Sequence, residues 1–265
     1  MIGAFIGDMS GSRFEFNNIR STDFELIHKD CTFTDDSVLT IALMDWVLHE
    51  EDKNMDTAAL YLYKWAIKYP YAGYGNRFFH WLEKASRGMI EPYGSCGNGS
   101  AMRISGVATA YSKDKELLKV MVDYATECTH NHIEGMKGAT VVATCISMGI
   151  NKCSKEEIKE YVLKEYPEIK NFDYETLRRT YKFDETCQKS VPQAIYCFLI
   201  SNDFEDCLRK TISIGGDCDT TAAISCSIAE AYYQSIPSSI VEAVRKKLPS
   251  EFIAIIDEFN EKYGY

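Results

Sequence analysis

Two short acidic runs carry the chemistry of this sequence: Thr34-Asp35-Asp36-Ser37 and Gly215-Gly216-Asp217-Cys218-Asp219-Thr220-Thr221. Each stands just before a segment with helical periodicity. One reading is local. A threonine caps the helix, and aspartates in the first turn offset the positive end of its dipole. The second run asks for more. The segment after it, 219–234, is rich in small residues (Ala222, Ala223, Ser225, Cys226, Ser227, Ala229, Ala231). Such a helix packs on nearly all sides, so its N-terminus points into the protein. Carboxylates aimed inward do not stay ionised and unpaired, because burial costs several kcal/mol per ion. No basic residue adjoins either run, which makes a metal ion the simplest counter-charge. Aspartate and threonine are hard oxygen donors and favour Mg²⁺, Mn²⁺ or Ca²⁺ over Zn²⁺. The spacing is not that of an EF-hand, which needs a glycine at the sixth loop position and a glutamate at the twelfth. With Glu15 as a possible fifth member, Asp35, Asp36, Asp217 and Asp219 sum to −5. Two divalent ions nearly neutralise that charge, and one does not, so the expectation is a two-metal site.

Other residues have weaker local signals. The run Gly94-Ser95-Cys96-Gly97-Asn98-Gly99-Ser100 reads either as a plain connection between helices or as a nest of backbone N–H groups for an anion. No Gly-Lys-Ser/Thr follows, so it is not a P-loop. Arg103 reads as a structural partner for the acidic framework or as a phosphate contact. Asp8 reads equally as a cap or as an acid behind the metal site. The aromatic series Tyr61, Tyr63, Trp65, Tyr69 and Tyr71 reads as packing.

Taken in order, five motifs have a shared likeness. They are Gly7-Asp8-x-x-Gly11-Ser12-x-x-Glu15, Thr34-Asp35-Asp36-Ser37, Gly97-Asn98-Gly99-Ser100-Ala101-Met102-Arg103, Thr129-His130 and Gly215-Gly216-Asp217-Cys218-Asp219-Thr220. Together they resemble the ADP-ribosylglycohydrolase family, which includes the dinitrogenase reductase-activating glycohydrolases. The resemblance implies an all-α fold, two Mg²⁺ or Mn²⁺ ions, and cleavage of the bond between the anomeric carbon of ADP-ribose and a protein side chain or small acceptor. By matching position it implies Thr34, Asp35, Asp36, Asp217, Asp219 and Thr220 as metal ligands. Glu15 becomes a ligand or a mobile gate. Ser95, Cys96, Gly97 and Asn98 fall along the phosphate and distal-ribose loop, with Gly73, Tyr74 and Gly75 opposite and His130 near the phosphate or distal ribose. Cys218 stands where the family often has threonine, and Ser37 replaces another frequent threonine. Phe78, Phe79, Tyr93 and Tyr111 are all candidates to stack on adenine.

Glycosidic cleavage passes through an oxocarbenium-like centre. The expectation is a water polarised at the metal site, oriented or deprotonated by Asp35, Asp36 or Glu15, with the sugar positioned through its ribose hydroxyls. The resemblance implies as substrate an ADP-ribosylated protein, arginine-linked first, or a small ADP-ribose conjugate. Loops such as 16–33 and 76–93 read the acceptor. Two rival readings stand beside this one. An isoprenoid-type Mg²⁺ enzyme wants DDxxD, and Asp35-Asp36-Ser37-Val38-Leu39 lacks the third acid. A catalytically inactive member that only binds ADP-ribose, or serves structurally, keeps the fold without turnover.

These motifs need helices to hold them. Helix-period segments are expected at 35–50, 56–68, 115–127, 136–149, 155–165, 191–200, 204–212, 219–234, 239–248 and 250–262. Glu25-Leu26-Ile27-His28 is the nearest approach to a strand and is too short for one. The expectation is a single compact all-α domain over 1–265, with 151–190 as a solvated helical excursion. A hydrophobic share of 46% and a charged share of 26% exclude a disordered chain. The net charge of −10 argues against general nucleic-acid binding. No stretch approaches the roughly 20 apolar residues of a membrane span. The first eight residues lack a signal peptide's basic start, so a cytoplasmic monomer with ten free cysteines is expected.

Overall fold

The structure, a computed structural model, describes residues 1–264; Tyr265, the last residue of the expected domain, lies outside the described residues. Fifteen α-helices follow in order: α1 Gly3–Gly11, α2 Asp35–His49, α3 Met55–Lys68, α4 Asn76–Ala85, α5 Gly99–Met102, α6 Ser105–Ala110, α7 Lys115–Glu127, α8 Ile133–Ile150, α9 Lys155–Glu165, α10 Tyr174–Thr180, α11 Cys187–Leu199, α12 Phe204–Ser213, α13 Cys218–Tyr233, α14 Ser238–Arg245 and α15 Ser250–Tyr263. Among the described residues no strand forms. One isolated antiparallel bridge joins Gly97 and Thr186. No helix is long and apolar enough to cross a membrane. All ten cysteines are free.

Local side-chain caps mark where seven of these helices start. Thr34 caps α2 by accepting from the Asp36 N–H. Asn54 and Ser154 form capping boxes with Thr57 and Glu157 at α3 and α9. Helix α1 is different, because Ile2 offers it no cap. Its first N–H groups are satisfied from far along the chain, where the Glu230 carboxylate accepts from Ile2 N at 2.9 Å and Gly3 N at 2.7 Å. Nothing near residue 3 announces that helix.

Helix α13 is the axis of the molecule. Every residue from Cys218 to Ala231 is buried, as its small-residue composition requires. Helix α1 lies antiparallel along it at backbone contact. A Cβ at Gly7 would stand 2.2 Å from the Ala222 carbonyl oxygen, and one at Gly11 would stand 2.4 Å from Asp219 Cα. Glycine at every fourth position clears one face of α1, so the C-terminal end of α1 meets the N-terminal end of α13. Helices α2, α8, α11 and α12 complete the packing around this pair.

Three segments depart from expectation. Residues 76–85, expected as a recognition loop, form α4, with Phe78, Trp81 and Ala85 on its buried face. The run at 97–102 closes into the single turn of α5, followed by α6. The excursion 151–190 is not merely solvated. Ile158, Val162, Tyr166 and Ile169 anchor it in the core. Its end also binds the glycine-rich loop, through Asn98 N to Glu185 O at 2.8 Å and Cys187 N to Cys96 O at 2.9 Å.

The α1–α13 contact gives a direct test. Gly7→Val forces a side chain into helix backbone and is expected to cost about 1–3 kcal/mol or more. That lowers Tm by at least about 2 °C. Gly75→Ala, with nothing within 4 Å of the added Cβ, is the matched control and leaves Tm within about 1 °C. Thermal unfolding of both variants by circular dichroism checks the pair.

Candidate functional site

The antiparallel α1–α13 pair carries Asp8 and the residues after Gly11 to the start of α13, and α2 begins beside them. Six carboxylates converge there. Oxygens of Asp8, Asp36 and Asp219 lie within 4.8 Å of one another, and so do oxygens of Glu15, Asp217 and Asp219. Asp219 belongs to both groups. Threonines stitch the acidic runs together: Thr220 Oγ1 donates to Asp36 Oδ2 at 3.1 Å, and Thr34 Oγ1 lies 3.3 Å from the same oxygen. Asp35 stands at the edge, lining the cleft without entering either group. Its N–H donates to Ala72 O at 2.7 Å, which draws the 72–75 turn against the site.

Asp8 proves to be the foundation of this arrangement. Fully buried in the middle of α1, it accepts from Thr34 N at 3.0 Å, Ser37 N at 3.1 Å and the hydroxyls of both residues. One carboxylate thereby fixes the start of α2 to α1. The motif Gly7-Asp8 gave its presence away, although not which N–H groups it would hold.

The loop carrying Glu15 is pinned by Asn18. Its Nδ2 donates to Phe14 O, Glu15 O and Gly216 O at 2.7, 3.0 and 2.9 Å, and its Oδ1 accepts from Gly216 N at 2.8 Å. Gly215 and Gly216 both have positive φ, +70° and +77°. Arg20 and Tyr181 pack where their side chains would be. The turn so formed delivers Asp217 and Asp219 into the site. The Cys218 thiol, as its position between them implies, goes the other way and donates to Gly11 O at 3.6 Å. No sequence signal marked Asn18.

The electrostatics of the cluster are unbalanced. Among the described residues no ion pair reaches any of the six acids. Asp36 Oδ1 and Asp219 Oδ1 are buried with no hydrogen-bond partner. Burial drives every one of these acids upward, and repulsion within the cluster adds to it at Glu15, Asp35, Asp36 and Asp219: Asp8 stands at about 6, Glu15 at about 7 and Asp35 at about 8, with Asp36, Asp217 and Asp219 also raised. Such a set lacks positive charge at a point supplied with oxygen donors, and hard divalent cations fit that deficit.

A cavity of about 280 Å³ opens from the cluster. Of the residues expected at the site, Glu15, Thr34, Asp35, Asp36, Gly73, Gly75, Ser95, Cys96, Gly97, Asn98, His130, Asp217, Asp219 and Thr220 line it. Tyr74 does not. Its ring packs on Phe78 at 5.3 Å, so it shapes the turn rather than the cavity. Phe78 and Tyr93 are the two adenine candidates that line the cavity, while Phe79 and Tyr111 stand outside it. Phe183, Glu185 and Thr186 also line it; the charged surroundings of 151–190 had hidden them. Of the two readings of the glycine-rich run, plain connection or anion nest, the hydrogen bonds lean toward connection: Gly94 N donates to Asn131 Oδ1 at 2.7 Å, Ser95 N to Thr129 O at 3.4 Å, Gly97 N to Ser95 Oγ at 3.1 Å and Asn98 N to Glu185 O at 2.8 Å, so four of its N–H groups already have partners within the protein. The Asn98 side chain instead reaches Asp217 Oδ2 at 2.7 Å.

Raised carboxylate values in the folded state have a definite consequence. Protonated acids bind the fold better than ionised ones, so their contribution is complete below about pH 4 and is lost as pH rises through the values near 6, 7 and 8. Chelator-treated protein is therefore expected to lose Tm between pH 5 and 8, and millimolar Mg²⁺ or Mn²⁺ to flatten that slope. Differential scanning fluorimetry across this range checks it. A slope unchanged by metal would contradict the charge argument.

Comparison with known proteins identifies the family and the fold. The family model described as ADP-ribosylglycohydrolase matches residues 1–264. The chain is 26% identical to the ADP-ribosylhydrolase ARH3 of Mus musculus, with 90% of this chain and 84% of that protein covered. It is 25% identical to the ADP-ribosyl-[dinitrogen reductase] glycohydrolase of Rhodospirillum rubrum, with 63% and 57% covered. A solved structure titled "ADP-ribosylglycohydrolase-related protein complex" superposes with a TM-score of 0.75 at 21% identity, covering 99% of this chain and 95% of the other, and shares the all-α fold. With its acidic runs converged on one cleft and the family model spanning residues 1–264, the chain belongs to the ADP-ribosylglycohydrolase family.

Proposed function

We propose that this protein is a divalent-cation-dependent hydrolase that releases ADP-ribose from an acceptor and so reverses ADP-ribosylation. One observation carries the reading: two carboxylate groups share Asp219, and buried oxygens of Asp36 and Asp219 have no partner within the protein. The names of the relatives support the substrate class. The proposed cofactors are two Mg²⁺ or Mn²⁺ ions held by Asp36, Asp217 and Asp219 with Thr34, Asp35 and Thr220. When bound, they neutralise the acids and supply Lewis-acid polarisation of oxygen.

The remaining roles fall to the chain. The cavity binds the ADP-ribose half of the substrate, with Gly73, Gly75, Ser95, Cys96, Gly97, Asn98 and His130 around it. Glu15, Asp35 and Asp36 are the acids placed to orient a water and take its proton. Glu15, raised to about 7, is the one best matched to neutral pH in the metal-free protein. The water oxygen bonds to the anomeric carbon as the glycosidic bond breaks. The bonding pair leaves with the acceptor atom, which takes up a proton. Carboxylates near the anomeric carbon would stabilise its developing positive charge. With the four ligand aspartates neutralised by the ions, Glu15 and Glu185 remain at the cavity beside Arg77 and Arg103, and the two glutamates are the groups that would meet a cationic acceptor. Among protein side chains that points to ADP-ribosylarginine.

Incubation with defined arginine-, serine- and O-acetyl-linked ADP-ribose conjugates, with Mg²⁺ or Mn²⁺ and with or without chelator, tests this reading. Chelator-sensitive release of ADP-ribose is expected, with the arginine conjugate cleaved fastest. Asp219→Asn is expected to lower turnover by more than about a hundredfold, since it removes charge from both carboxylate groups. Tight ADP-ribose binding without release from any conjugate would instead mark an inactive, binding member of the family.

A further inference from the structure

Behind the glycine-rich loop runs a buried line of three side chains that the metal site does not use. Arg103, just after α5, is fully buried. Its Nη2 donates to Thr129 Oγ1 at 2.7 Å and to Ala125 O at 3.2 Å. Thr129 is itself fully buried, and its Oγ1 lies 2.8 Å from His130 Nδ1. The His130 ring lines the cavity. A Cβ at Gly99 would stand 3.2 Å from its Nε2, and one at Gly97 would stand 3.6 Å away.

Proton counting along this line has one good solution. A guanidinium only donates, so Thr129 Oγ1 is the acceptor toward Arg103. Its single hydroxyl proton is then free to be given elsewhere. The neighbouring Cys128 thiol is a weak acceptor and is already donating to Ala125 O at 3.4 Å. The strong acceptor in range is His130 Nδ1. A Nδ1 that accepts carries no proton, so the ring proton of the neutral imidazole sits on Nε2. The opposite tautomer would leave the Thr129 hydroxyl proton without a good acceptor in a buried place, which costs more than a bond is worth. A doubly protonated ring is opposed by burial and by Arg103 and Arg77 nearby.

We propose that Arg103 and Thr129 are positioning residues that lock His130 in its Nε2–H tautomer, so that the cavity presents one uncharged donor above Gly97 and Gly99 to an oxygen of the bound ADP-ribose. The ligand half of this statement rests on the function proposed above; the tautomer half does not. The glycines have a matching role. Side chains at 97 or 99 would crowd the Nε2 edge that the relay turns toward the ligand.

The test is spectroscopic and then thermodynamic. Long-range ¹H–¹⁵N correlation of the ¹⁵N-histidine-labelled full-length protein, with His130→Gln to assign the signal, reports the tautomer in the substrate-free state. A protonated Nε2 and a bare Nδ1 are expected for His130. Thr129→Ser keeps that signature, and Thr129→Val shifts it toward Nδ1–H or an averaged form. Isothermal titration with ADP-ribose is expected to show an affinity loss of about tenfold for Thr129→Val and less than about threefold for Thr129→Ser. A protonated Nδ1 in the unmodified protein overturns the proposal without any variant. An unchanged signature in a folded Thr129→Val protein overturns it as well. Failure of the unmodified protein to bind ADP-ribose would sink the ligand half together with the proposed function, while the spectrum still judges the tautomer.

Discussion

Uncompensated negative charge at the meeting point of three helices is the constraint around which this molecule is organised. Five carboxylates share a small volume with Asp35 at its edge, and among the described residues no lysine, arginine or histidine pairs with any of them. Two of their oxygens are buried without a partner. A chain does not retain such a cluster for stability, since buried like charges raise one another's pKa and work against folding. The rest of the fold holds the acids in place against that repulsion. Asp8 ties α2 to α1, Asn18 ties the Glu15 loop to the Gly215-Gly216 turn, and Asn98 ties the glycine-rich loop to Asp217.

The mechanical answer to the repulsion is close packing of α1 on α13. The glycines of α1 let two helix backbones touch, and the all-buried α13 is gripped from every side. Dense apolar contact there supplies the rigidity that electrostatics at the site would otherwise undo. It also sets the geometry, because antiparallel contact at Gly11 and Asp219 fixes the distance between the loop after α1 and the start of α13.

The far side of the cleft is built on another principle. Around His130 the groups are buried, neutral or singly cationic, and bonded in a line from Arg103 through Thr129. The cleft thus opposes an acidic, cation-seeking end to a donor-bearing end.

Much of this was legible in the residues. Both acidic runs were visible as carboxylates beside helix starts, but a helix cap accounts for such a run as well, and only their convergence in space separates the two readings. Ten helices were readable because apolar periodicity and caps are local properties, and their observed bounds lie close to the expected ones. What escaped was nonlocal. Helix α1 is capped by Glu230, more than two hundred positions away, so no neighbouring residue announces it. Helix α4 has a clear buried face in Phe78, Trp81 and Ala85, but it is short and adjoins an aromatic run read as packing. Phe183, Glu185 and Thr186 reach the cleft only because the Gly97–Thr186 bridge folds the end of a charged excursion back onto it. The sequence alone determined which residue types were available and which of them would start helices, since both depend on near neighbours. Tertiary structure decided that Asp219 serves two carboxylate groups, that Tyr74 faces away, and that Thr129 stands between Arg103 and His130. Those are distances between chain segments, and packing sets them.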